Sequence, residues 1–176
     1  TVDKFIGDAI MAYWNAPGDV EDHPTKALIA TFEQLHALES LNTTIKKDPR
    51  FQNTVKMCEQ MGVEPIDIGL GLNTGVVVAG EMGSNQRSDY TVIGDPVNLA
   101  ARLESLCKYY NSKCNISNFT KERITENFIY RFLDLVTVKG KHEPVEIWQV
   151  IDFDRDETSP KLYKVSREEL DKELES

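Results

Sequence analysis

Asp89-Tyr90-Thr91-Val92-Ile93-Gly94-Asp95-Pro96-Val97-Asn98-Leu99-Ala100-Ala101-Arg102-Leu103-Glu104 changes its hydrophobic period midway, which predicts a short strand feeding directly into a helix. Tyr90 to Ile93 is the strand. Asp95 is placed as helix N-cap and Pro96 at the first helical position, where a missing N–H costs nothing. Leu99, Leu103, Leu106 and Tyr110 then recur at helical spacing as a core stripe. Asn98 and Arg102 share a different face, one turn apart and near the end where free backbone N–H groups favour anions. Arg102 offers a planar fork of donors suited to phosphate, and Asn98 a neutral amide suited to a sugar oxygen. From spacing alone, a solvated helix face is the commoner reading of the pair.

Upstream, Ile66, Ile68, Leu70 and Leu72 alternate with Asp67, Gly69 and Gly71. That pattern predicts a strand with one apolar face and one bare face, against which something must approach the backbone closely. Asn73-Thr74-Gly75 turns the chain, and Val76 to Ala79 is expected as a partner strand. Val2 to Trp14 reads as two strands around a Gly7-Asp8 turn. A turn Asp8 projects where a divalent cation could reach it, although one carboxylate is a poor magnesium site and an exposed turn residue is the simpler reading. Lys4 is most simply an exposed strand residue.

Asp22 is placed as the cap of a helix with Pro24 in its first turn, burying Leu28, Phe32, Leu35 and Leu38. From Thr43 to Glu64 the pattern weakens, with Lys46 to Pro49 breaking the helix, and the stretch reads as an insertion. Gly83 to Ser88 is expected as polar loop and Asn118 to Glu126 as a short helix. Tyr130 to Val138 and Pro144 to Ile151 are the last strands. From Asp152 the composition turns charged, so residues 1–153 form the domain and 154–176 a charged tail. Strands and helices mix without regular βαβ alternation, which favours an α+β sheet with helices on one face.

The net charge of −9 argues against broad nucleic-acid binding and against docking on a lipid surface. No apolar run is long enough to cross a membrane. Cys58, Cys107 and Cys114 form no CxxC pair and read as reduced thiols. Gly71 to Gly75 and Glu81 to Ser84 match no phosphate-loop template, and His23, His36 and His142 are scattered. The residues alone support an α+β domain with an anion site and name no reaction.

Four segments together carry a resemblance. They are Asp3-Lys4-Phe5-Ile6-Gly7-Asp8-Ala9-Ile10-Met11-Ala12, Gly69 to Gly75, Asp89 to Glu104, and Val138-Lys139-Gly140-Lys141. In this order they resemble the class III (adenylate/guanylate-type) nucleotidyl cyclase catalytic domain, from about Thr1 to Phe153. The resemblance implies a ferredoxin-like class III cyclase fold with an antiparallel-rich sheet. It implies conversion of a nucleoside triphosphate to its 3′,5′-cyclic monophosphate and pyrophosphate by in-line attack of the ribose 3′ oxygen on the α-phosphorus. It also implies two Mg2+ or Mn2+ ions per complete site.

By the same resemblance Asp8 matches a metal-binding aspartate. Lys4 and Thr91 match the two purine-contacting positions, and both agree on adenine, so the implied substrate is ATP. Asn98 matches the residue that orients the ribose, Arg102 the one that stabilises the charged pentavalent phosphorus, and Lys139 a lysine on the terminal phosphates. Two such domains pair head to tail in the family, which implies a homodimer with composite sites. A cytoplasmic location, with a membrane-anchored sensor upstream, follows by analogy.

The family's motif begins with an earlier Phe-x-Asp-Ile-x-Gly-Phe type strand that nothing here matches. The expectation is therefore a domain lacking its first strand and helix and one metal aspartate, with little turnover on its own and an exposed pairing edge. Asp3 has no motif support as a substitute ligand, because it should alternate with Lys4 across the strand. A second function class is a degenerate cyclase-like module for nucleotide sensing or dimerisation, but the joint presence of Lys4, Asp8, Thr91, Asn98 and Arg102 favours the enzyme.

Overall fold

The computed structural model describes residues 1–84, 87–137 and 144–153. The chain opens with strands β1 (Val2–Ile6) and β2 (Ala9–Ala12), an antiparallel hairpin turned at Gly7-Asp8 as expected. Gly7 takes φ +65°, the left-handed conformation that glycine tolerates without a Cβ penalty. Helix α1 (His23–Lys47) follows, then a 3₁₀ turn at Pro49–Phe51 and helix α2 (Gln52–Met61).

Strand β3 (Leu70–Leu72) leads to the hairpin of β4 (Val78–Ser84) and β5 (Arg87–Ile93), and then to helix α3 (Asp95–Tyr110). Strand β6 (Cys114–Ser117), the short helix α4 (Asn118–Lys121) and strands β7 (Phe128–Val136) and β8 (Val145–Phe153) complete the order. A four-stranded sheet runs β3-β6-β8-β7, with β3 parallel to β6 and the other pairs antiparallel. The β1-β2 and β4-β5 hairpins form separate two-stranded sheets.

The fold class expected from the sequence, α+β with an antiparallel-rich sheet, is the one observed. The helical cover, expected on one face, is shared between two. Leu28 and Phe32 of α1 pack with Cys114, Ile116, Phe128 and Val150. Leu99 and Leu103 of α3 pack instead with Val145 and Ile147. Side chains alternate along a strand, so Val150 and Ile147 of β8 point to opposite faces. Each helix therefore takes one set.

Several boundaries differ from the sequence reading for definite reasons. Helix α1 runs on through Lys47, and its end is set by Pro49: Asp48 before it is extended at φ −82°, ψ 121°, as the proline ring demands. Ile66 and Ile68 do not join β3. The buried Asn42 amide donates to the Ile66 carbonyl (2.7 Å) and accepts from its N–H (3.0 Å), taking both groups a ladder would use. Val78 onward pairs with β5, not with β3, and the expected loop from Gly83 becomes part of that hairpin. Gly94, not Asp95, occupies the N-cap position of α3, and Asp95 lies in the first turn. Asp22 sits at the N-cap of α1, but its carboxylate reaches instead to the Thr125 hydroxyl at 2.7 Å. The expected tail, 154–176, lies outside the described residues.

Candidate active site

The bare face of β3 meets α3. A Cβ on Gly71 would lie 2.2 Å from the Glu104 backbone nitrogen and 2.4 Å from the Ala100 carbonyl oxygen. A Cβ on Gly69 would lie 2.8 Å from Cys107 Cβ. The close approach read from the sequence is thus the approach of α3 itself, made possible by two glycines.

The start of α3 is pinned from the loop after β3. Asn73 Nδ2 donates to the Pro96 carbonyl at 3.0 Å, while its Oδ1 accepts from Ser117 Oγ at 2.5 Å. Read from the sequence only as part of a turn, Asn73 is a clamp between three elements. It fixes where the first turns of α3 stand.

On that helix Leu99, Leu103 and Cys107 are buried, and Asn98 and Arg102 are exposed on another face. Neither side chain makes a hydrogen bond or ion pair among the described residues, so the amide and guanidinium remain available one turn apart. Tyr110, two turns beyond Arg102, donates to Asp134 Oδ2 at 2.6 Å. Burial, followed by this bond, pushes its hydroxyl up to about 12, with Arg102 acting in the opposite sense.

The first hairpin reaches the second. Lys4 Nζ donates to Thr91 Oγ1 at 3.3 Å, and the Thr91 hydroxyl donates to Asp3 Oδ2 at 2.5 Å. Lys4 Nζ also stands 3.4 Å from Asp3 Oδ1. Thr91 is buried, the Asp3 side chain is 1% exposed, and Lys4 keeps 44% of its side-chain surface. Asp3 and Lys4 were expected on opposite faces of a regular strand. A register shift between Val2 and Lys4 inserts an extra residue opposite β2, and both side chains turn toward Thr91. Asp3 was thereby missed as a site residue: its partner lies 88 residues away, and nothing in the strand pattern announces a bulge.

Asp8 stands exposed at the hairpin turn, without a partner among the described residues. Its free carboxylate fits one hard cation completed by phosphate oxygens. No group of three or more His, Cys, Asp or Glu residues converges among the described residues. Asp3 is already committed to Thr91 and Lys4. Lys139 lies outside the described residues. The structure thus brings Lys4 and Thr91 into contact, keeps Asn98 and Arg102 on one open helix face, and leaves Asp8 at a separate exposed tip.

Known proteins resemble this chain in sequence and in fold. An adenylate cyclase of Dictyostelium discoideum, described as terminal-differentiation specific, is 38% identical over 159 residues, covering 89% of this chain and 7% of that protein. An adenylate cyclase of Anabaena cylindrica is 37% identical over 152 residues, covering 85% of this chain and 28% of that protein. The chain therefore spans only a minor part of the length of these relatives. The crystal structure of the guanylyl cyclase Cya2 superposes with a TM-score of 0.68 at 30% identity, covering 93% of this chain and 75% of that one. The adenylyl cyclase CyaB from P. aeruginosa superposes with a TM-score of 0.60 at 31% identity, covering 89% and 74%. Among the described residues, no helix is long and apolar enough to cross a membrane. Residues 3–152 match the family model described as the adenylate and guanylate cyclase catalytic domain, and the chain belongs to that family.

Proposed function

We propose that this chain is the catalytic domain of an adenylyl cyclase, forming 3′,5′-cyclic AMP and pyrophosphate from ATP as a signalling output. The observation that carries the reading is the 3.3 Å contact between Lys4 Nζ and Thr91 Oγ1. It joins the two positions that the family resemblance assigns to the purine, and both residue types suit adenine. Lys4 donates to adenine N1, and Thr91 faces the 6-amino group.

Asn98 holds the ribose so that its 3′ oxygen lies in line with the α-phosphorus. Arg102 gathers the negative charge that develops there as the new P–O bond forms and pyrophosphate leaves. Positioning and preorganised charge are the main catalytic terms in such transfers. Asp8 holds a Mg2+ or Mn2+ ion together with the nucleotide phosphates, and Lys139 contacts the terminal phosphates. The bound cation supplies positive charge at the phosphates and acidity at the ribose oxygen.

Asp8 and Lys4 serve different sites, in a pair of domains that each contribute half of a site. Exposed apolar side chains on the two hairpins, Phe5 at 71%, Ile10 at 60%, Val78 at 68% and Ile93 at 56%, support such pairing with a second copy.

The test is cyclic AMP production from ATP with manganese by the full-length protein. Asp8→Ala and Arg102→Ala should each lower it by two or more orders of magnitude, as loss of a transition-state charge contact does. No product, or product that survives both changes, would defeat the proposal.

A further inference from the structure

Hydrogen-bond bookkeeping around Asp3 leads past the two purine-contacting residues. An ammonium has three donors, and a hydroxyl has one donor and two acceptor lone pairs. Lys4 spends one donor on Thr91 Oγ1 at 3.3 Å and faces Asp3 Oδ1 with a second at 3.4 Å. Thr91 spends its only donor on Asp3 Oδ2 at 2.5 Å and one lone pair on Lys4. What the cluster still offers is a single donor from Lys4 and a single acceptor from Thr91.

We propose that Asp3 is a specificity-determining positioning residue, which locks the Thr91 hydroxyl as an acceptor and so makes the pair complementary to adenine and mismatched to guanine. The inference rests on the adenylyl reading above. With Lys4 against N1 and Thr91 against the 6-position, adenine supplies N1 as acceptor and its amino group as donor. Guanine presents the reverse at both places, an N1–H donor and an O6 acceptor. A threonine hydroxyl free to rotate would adapt by donating to O6. The Asp3 carboxylate, 1% exposed and beside an ammonium, removes that freedom. Rejection of guanine then comes from polar groups that cannot be satisfied, which discriminates better than shape alone.

The test compares kcat/KM for ATP and GTP on the same preparation of the full-length protein. The variants are Asp3→Leu, Asp3→Ala, Thr91→Val, Lys4→Glu and the double variant Asp3→Leu/Thr91→Val. Partial misfolding cancels from the ATP-to-GTP ratio, because both substrates meet the same active fraction. Asp3→Leu and Asp3→Ala, which leave the Thr91 hydroxyl without an acceptor there, should each lower the ratio about tenfold, the size of one hydrogen bond made or broken. In the Thr91→Val background Asp3→Leu should change it no further. The inference is overturned if both Asp3 variants keep the wild-type ratio within about twofold, or if the Asp3→Leu effect persists without the hydroxyl. A ratio unmoved by both Thr91→Val and Lys4→Glu is a different result, which removes the adenylyl reading itself.

Discussion

Lys4 and Thr91, 87 residues apart in the chain, meet at 3.3 Å between an ammonium and a hydroxyl. The meeting depends on two hairpins that belong to different two-stranded sheets. It also depends on α3, because Thr91 leads into that helix through Ile93 and Gly94. Whatever displaces α3 therefore disturbs both the Lys4–Thr91 contact and the Asn98–Arg102 face.

Gly71 is where that dependence is sharpest. Replacing it with alanine drives a Cβ into the backbone of α3, whose nearest atom would be 2.2 Å away. Gly71→Ala should cost about 3 kcal/mol or more, the upper range for overpacking, because backbone cannot swing aside as a side chain can. Gly80→Ala, where a Cβ meets nothing within 4 Å, should change little. Urea unfolding of both variants checks the contrast.

The cysteines give a second, independent test of the packing. Burial raises the Cys107 thiol above its ordinary value, and burial raises the Cys114 thiol further. Cys58 on α2 is half-buried. Thiolate is the reactive form. A chromogenic disulfide reagent at pH 8 should titrate Cys58 rapidly in the native protein and all three thiols only after denaturation.

The junction of α1 with the loop after α4 should respond to acid. Hydrogen bonds from the Thr125 and Thr25 hydroxyls hold the Asp22 carboxyl below its ordinary 3.8. The folded value lies below the unfolded one, so this contribution is complete above the unfolded value and is lost as pH falls through the folded value. Asp22→Asn should lower the thermal midpoint by a small amount at pH 7, and the difference should shrink as pH falls below the ordinary 3.8. Thermal melts at pH 7, 5 and 3 follow it.

Much of the framework is legible in the sequence because it rests on local periodicity. Leu28, Phe32 and Leu35 on one helix, Leu99 and Leu103 on the other, and the Gly7-Asp8 turn all read correctly. Asn98 and Arg102 read as one open face, which they share. What escaped depends on distant partners. Asn42 takes the backbone of Ile66 out of the strand its alternation predicts. The bulge after Val2 turns Asp3 toward a threonine on another hairpin. Asn73 clamps a helix start that it does not touch in sequence. In each case a side chain satisfies a backbone or hydroxyl group far along the chain, and such pairings leave no local period to read.

The most direct measurement of the central claim is substrate preference in the Lys4→Glu/Thr91→Cys double variant of the full-length protein, assayed for cyclic AMP and cyclic GMP with manganese. Replacing the ammonium donor with a carboxylate acceptor, and the hydroxyl with a weak thiol, should lower kcat/KM for ATP by two orders of magnitude or more and turn the preference toward GTP. An unchanged preference for ATP would mean that Lys4 and Thr91 do not read the base.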